Sequence, residues 1–507
     1  MSLRPHSLRL FARAPLFAVL AATLAAQPAR QSQQPQTPQD RVVAAMHGVS
    51  SNVILDYVKE LTSEKFGGRL TGTPGYDSAA AWSVALLKSW GYQPFGDKGS
   101  WYQKFANPYT LVRPGTELSL HLPQPGGTEI VKSYVWEQEF FQGSTSDSGR
   151  VTAEAVYVGY GATAPELSYD DYAGVDVKGK IVVVEPEVPM GPEPDTVLFK
   201  KWRPYSFHDY KIKNAAKHGA IGMIYNYHIT NPNGVWVKGL VLTYVSRTVV
   251  EDLFAGQPVT YRQTLDQIRK TLAPASRPLG RTVTLYNNTE HHPEGVGSNI
   301  IALLPGSDPA LKDEYIVIGA HLDHLGYNHE LMPGAHDNAS GVAVLLGAAE
   351  AIARAKVPMK RSVLLLLFGA EEQGVKGSEY YVAHPAVPNA KIKAFVNLES
   401  VGRGEMIGVS SGKEYPEIYD ALQRANTQYV HRTVIASSNR NLARPRQDAA
   451  HFLWAGIPTV SIGTGGAPPL PYASYHTSKD RWQILTPEIM EDLARITFLA
   501  TLDLANR

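Results

Sequence analysis

Residues 315–372 read YIVIGAHLDHLGYNHELMPGAHDNASGVAVLLGAAEAIARAKVPMKRSVLLLLFGAEE. A β-branched apolar run at 315–318 gives way to a polar loop. Apolar and small residues then recur at helical spacing over 342–353, and a wholly apolar run fills 363–368. Strand, helix and strand in that order predict one unit of an α/β sheet. Similar runs at 300–304 and 394–397 extend the alternation, so the chain from Ser298 onward is expected to form an open sheet with helices on both faces.

Outward from that segment the character of the chain changes. Residues 42–90 show helical spacing, interrupted by Gly67-Gly68-Arg69 and by Gly72-Thr73-Pro74-Gly75. Between 108 and 290 short β-branched runs (155–158, 181–184, 221–225) are separated by Gly, Pro and Asp, which predicts a β-rich module. Residues 30–41 are rich in Pro and Gln and read as a flexible leader. At the start, Arg4, Arg9 and Arg13 precede a mostly apolar run at 14–26, the pattern of a secretory signal peptide, taken here as residues 1–29. Its apolar run is shorter than the ~20 residues that a membrane-spanning helix needs. The expected destination is the periplasm or the medium, with no membrane contact after cleavage.

The chain has 507 residues, 44% hydrophobic and 19% charged, which suits a globular protein of two or three domains. Lys plus Arg number 48 and Asp plus Glu 47, a balance that leaves no electrostatic footprint for nucleic acid. There is no cysteine, which excludes disulfide scaffolds, thiolate metal sites and cysteine nucleophiles together.

Polar chemistry gathers near the predicted strand ends. His321-Leu322-Asp323, Asp337-Asn338, Glu371-Glu372 and Glu399 each follow a strand or precede a helix, and Tyr475-His476-Thr477 lies in a Pro- and Gly-rich loop before the last helix. Ligands of open α/β sheets bind beyond the carboxyl ends of the strands, where these groups would converge. Two imidazoles with several carboxylates form the nitrogen and oxygen donor set of catalytic zinc. Each piece alone has a plainer reading: Asp337 as a helix cap, Glu371-Glu372 as a solvated turn, His476 as a surface histidine. Joint occurrence in this order is what points to metal.

The series His321-Leu322-Asp323-His324-Leu325-Gly326, Asp337-Asn338-Ala339-Ser340-Gly341, Ala370-Glu371-Glu372, Asn397-Leu398-Glu399 and Tyr475-His476-Thr477 closely resembles the co-catalytic dizinc exopeptidases. That family includes bacterial aminopeptidases, glutamate carboxypeptidases and the transferrin receptor ectodomain. Residues 61–75 (LTSEKFGGRLTGTPG) resemble its N-terminal region, and residues 169–184 (YDDYAGVDVKGKIVVV) resemble its inserted protease-associated domain. The resemblance implies a peptidase domain with an open mixed β-sheet formed by residues 42–107 and 291–507, and a protease-associated insert at 108–290. It implies two zinc ions, one on His321 and Glu399, the other on Glu372 and His476, with Asp337 bridging. Asp323 would hold the His321 imidazole, Glu371 would be general base and then acid, and Tyr475 would donate to the oxyanion. Many relatives carry Asp where this chain has Glu399, one methylene longer and still an oxygen ligand.

The implied activity is hydrolysis of terminal peptide bonds in peptide substrates by water activated between the two ions. An aminopeptidase is favoured over a glutamate-carboxypeptidase-like enzyme. The insert is expected to narrow the cleft or to mediate a homodimer. Three other readings stand beside this one, the least favoured a single-zinc glutaminyl cyclase of the same fold. Gly408-Val409-Ser410-Ser411-Gly412 matches the G-x-S-x-G turn of serine hydrolases, with Ser410 as nucleophile. A binding ectodomain without metal is another. Arg440, Arg444 and Arg446 are candidate partners for a substrate carboxylate.

Overall fold

A computed structural model describes residues 37–438, 445–466 and 472–507. The signal-peptide reading of 1–29 and the leader before Thr37 lie outside the described residues. The rest of the leader, 37–41, is ordered rather than flexible. Helix Pro38–His47 starts there, because Thr37 and Asp40 form a reciprocal capping box and Pro38 occupies the first turn.

Two sheets organise the chain. The nine-stranded sheet runs in the order Gln93–Pro94, Val296–Leu304, Ser362–Phe368, Tyr315–His321, Ile392–Leu398, Thr459–Gly465, Met406–Ser410, Thr433–Ser437, with Tyr102–Ala106 also paired to Val296–Leu304. Its centre is parallel: Tyr315–His321 lies between Ser362–Phe368 and Ile392–Leu398, all pointing the same way. Val296–Leu304 and Met406–Ser410 run antiparallel to their inner neighbours, which makes the sheet mixed.

Side-chain alternation explains the layers. Val363, Leu365 and Leu367 join the core beneath helices Ser51–Leu61, Ser340–Ala355 and Pro487–Asn506, whereas Leu364, Leu366 and Phe368 join the opposite cluster with Tyr381 and Phe452. Those two aromatics come from helices Lys376–Ala383 and Ala449–Trp454. A central strand covered on both faces must be apolar at every position, which is why 363–368 reads as an unbroken run.

The second sheet, of eight strands, is built within 109–292. It contains more than the β-strands expected there. Gly149–Tyr157, Ile181–Val184, Gly222–Tyr225 and Val241–Val245 run parallel to one another, and helix His208–Lys217 spans the crossover between the second and third. Parallel neighbours require such connections, so the module is α/β in its middle and antiparallel at its edges. Among the described residues no helix is long and apolar enough to cross a membrane.

Candidate metal centre

The parallel strands deliver the predicted residues to one place. His321 is the last residue of its strand; Glu371-Glu372 and Glu399 follow the two strands beside it. Asp337 lies in the turn leading into helix Ser340–Ala355, and His476 in the loop before Pro487–Asn506. His321 Nε2 lies 3.2 Å from both Asp337 Oδ1 and Glu399 Oε1. His476 Nε2 lies 3.0 Å from Glu372 Oε2 and 3.4 Å from Asp337 Oδ2. Asp337 thus contributes one oxygen to each of two donor groups.

These separations suit metal ions. Ligands held tetrahedrally at about 2.0–2.1 Å from zinc lie about 3.3 Å from one another. Glu399 Oε2 and His476 Nε2 are buried without a hydrogen-bond partner, as coordinating atoms would be in the metal-free protein. Seven carboxylates gather in and around the site (Asp323, Asp337, Glu371, Glu372, Glu399, Asp448, Asp480), and Arg69 is the guanidinium whose charge several of them share. Such crowding of buried anions calls for cations among them.

Protonation equilibria record the crowding. Burial opposes charging of His321, yet Glu399, Asp323 and Asp337 hold its pKa well above the ordinary imidazole value. Burial likewise opposes charging of His476, and Glu372 and Asp337 outweigh it. Burial would raise Asp337, but the neighbouring His321 and His476 imidazoles keep it well below the carboxylate range. Glu371 is pushed well above that range by burial and by neighbouring Glu399, Glu372 and Asp448. Asp448 rises to about 8, chiefly through burial.

Several residues that hold the centre were not assigned from sequence. Asp480 accepts hydrogen bonds from the backbone N–H groups of His336 and Asp337 and from the Tyr472 hydroxyl, at 2.9, 3.1 and 2.7 Å. Asn338 donates to Leu398 O and accepts from Ser400 N, tying the Asp337 turn to the Glu399 loop. Buried His324, unassigned although it sits inside the first motif, places Nδ1 2.7 Å from Glu372 Oε1. With Asp337 and Glu372 it forms a further group able to hold an ion.

Asp323 acts differently from expectation. Its carboxylate oxygen is 3.6 Å from His321 Nδ1, too far for a hydrogen bond, while its own carbonyl oxygen is 3.2 Å away. The carboxylate instead accepts from the backbone N–H groups of Glu371 and Glu372, each at 3.2 Å, and so fixes the turn that presents both.

A cavity of about 440 Å³ opens beside Glu371, Glu372, Tyr475 and His476. Tyr475 stacks on His476 with ring centroids 3.9 Å apart and keeps 43% of its surface exposed. The opposite wall comes from the second-sheet module, through Phe207, His208, Tyr227 and Asn233 among others. Arg446 also lines it; Arg440 and Arg444 lie outside the described residues. Ser410 ends a strand toward the far side of the sheet, and among the described residues no hydrogen bond links it to a histidine or carboxylate.

Residues 299–501 match peptidase family M28, and residues 151–249 match the PA domain. An aminopeptidase of Pseudomonas aeruginosa is 27% identical over 438 residues, covering 82% of this chain and 70% of its own length. Leupeptin-inactivating enzyme 1 of Streptomyces exfoliatus is 30% identical over 209 residues, 40% of this chain and 43% of that protein. Among solved structures, an aminopeptidase from Aneurinibacillus sp. strain AM-1 superimposes with a TM-score of 0.63 at 21% identity, over 92% of this chain and 96% of that one. BSAP, a zinc aminopeptidase from Bacillus subtilis, gives 0.59 at 18%, over 90% and 96%. The two structures share the fold of this chain.

Proposed function

Given that the chain belongs to peptidase family M28 and carries an inserted PA domain, we propose that it is a two-zinc aminopeptidase that releases residues from the free N-terminus of peptides. The observation that carries this reading is the pair of donor groups sharing Asp337 beside a cavity that Glu371 and Tyr475 also line. His321 and Glu399 would hold one ion, Glu372 and His476 the other, and Asp337 both. Bound there, zinc supplies Lewis-acid polarisation of the scissile carbonyl and makes water acidic enough to deprotonate near neutral pH.

The remaining steps belong to side chains. Glu371 takes the proton of the attacking water and passes it to the leaving amine. Tyr475 stays protonated, because desolvation at its hydroxyl and the acidic neighbours Asp337, Glu372 and Glu371 raise its pKa, and that hydroxyl donates to the developing oxyanion. Asp323 keeps Glu371 in register through the two backbone N–H groups it accepts.

The basic and apolar start of the chain supports export, and we place the enzyme in the periplasm or medium. Aminoacyl p-nitroanilides, N-acetylated counterparts and N-acyl-glutamates form the decisive substrate panel. Turnover of the free-amine substrates alone is expected. Turnover of N-acyl-glutamates alone would replace this reading with a carboxypeptidase, which Arg446 at the cavity wall favours. No turnover by zinc-loaded protein would leave a binding ectodomain.

A further inference from the structure

His476 is the one proposed zinc ligand whose orientation is set from the other half of the molecule. Its Nδ1 lies 3.0 Å from the backbone carbonyl of Thr230, across 246 residues of sequence. A carbonyl oxygen only accepts, so Nδ1 carries the hydrogen in this contact, and Nε2 is the nitrogen that could offer a lone pair to a metal ion. Nε2 faces Glu372 and Asp337. His321 is different: its Nδ1 contact, the Asp323 carbonyl, lies two residues away in the same loop.

The backbone around His476 also needs an external hold. His476 sits at φ 55°, a left-handed conformation uncommon for a residue with a β-carbon. Two residues on, the Ser478 N–H donates to Glu137 Oε1 at 2.7 Å, and Lys479 Nζ lies 3.4 Å from Glu137 Oε2. Glu137 is itself nine-tenths buried, with 10% of its side chain exposed. The loop that carries the Thr230 carbonyl is held through the next residue, buried Asn231. The Asn231 side-chain oxygen accepts from Asn233 N at 3.0 Å, and its backbone carbonyl accepts from Ser144 Oγ.

We propose that the module carrying the second sheet completes the metal centre: Glu137 and the Thr230 carbonyl position His476, so that losing either anchor weakens the His476–Glu372 zinc site and spares the His321–Glu399 site. Glu137 and Asn231 are positioning residues, since they act on zinc through His476 and the Thr230 carbonyl, although Asn231 also lines the cavity. The module is then a structural part of one half of the active site as well as a wall of its cavity. This inference rests on the two-zinc reading above.

Zinc titration of the metal-free protein against a chromogenic chelator separates the two. Wild type is expected to bind two equivalents. In Glu137→Ala and in Asn231→Ala one of the two affinities should fall by about 10- to 100-fold, the usual effect of losing a group that orients a ligand. The other affinity and the Tm of the metal-free protein should stay near wild type. Glu137→Gln, which keeps an acceptor for Ser478 N–H, should restore both affinities. Wild-type affinities at both sites in both alanine variants would overturn the inference while leaving the two-zinc reading intact. An equal loss at both sites with a lowered Tm would also overturn it, by showing a general structural role. A wild type that binds no zinc would refute the two-zinc reading itself.

Discussion

Arg69→Met is a perturbation whose size follows from the structure. Arg69 has no exposed surface and, among the described residues, no carboxylate partner within hydrogen-bond reach; its guanidinium donates to four backbone carbonyls. These are Leu322 and Gly334, both at 2.9 Å, Leu61 at 2.6 Å and Pro333 at 2.8 Å. Leu322 lies between His321 and Asp323, and Gly334 is three residues before Asp337, so the fork braces two loops that carry candidate ligands from an early turn. Methionine fills most of the volume and satisfies none of the carbonyls. An orphaned buried acceptor costs about 1–3 kcal/mol, so four cost at least about 4 kcal/mol before relaxation. For a half-molecule of this size that is a fall in Tm of roughly 10 °C. Lysine is a poor replacement, because one ammonium cannot reproduce a planar fork spanning four acceptors. Thermal melts of the metal-free protein, with zinc content measured in parallel, provide the assay. A Tm within about 3 °C of wild type together with full zinc retention would refute the bracing role.

Three further outcomes are expected. Glu371→Gln should keep its zinc and lose about 10²- to 10⁴-fold in kcat, measured on the best free-amine substrate; near wild-type turnover would remove Glu371 from the proton-transfer role. Glu185 is buried against Asn226, Tyr261 and Tyr157, and burial raises its pKa to about 7 from 4.5. A raised carboxyl contributes stability that is present in acid and lost as pH rises through about 7, so Glu185→Gln should gain about 3 kcal/mol relative to wild type between about pH 4.5 and about pH 7; a constant difference across that window in urea melts would refute this. Ser410→Ala should leave turnover unchanged, and serine-directed inhibitors should be inert where chelators abolish activity; the opposite pattern would revive the serine hydrolase.

The parts of this protein legible in its sequence are those where local pattern and chemistry coincide. Residues 363–368 had to be a doubly covered strand because nothing in them is polar, and the candidate ligands stood out because strand ends in this sheet type carry the site. Arg69, Asp480 and Asn338 act through backbone groups of distant loops, and side-chain identity carries no mark of that. The Thr230 carbonyl has no sequence signature at all. His324 was within sight, inside the first motif, but nothing in that motif tells a ligand from the partner of a ligand. In the second module, strands of four residues such as Ile181–Val184 are too short to show whether their neighbours are parallel.

The most direct test of the central claim is the zinc content of the purified protein by elemental analysis, before and after reconstitution. Two tightly held equivalents per chain are predicted. No bound zinc, even after reconstitution with excess metal, would contradict the account.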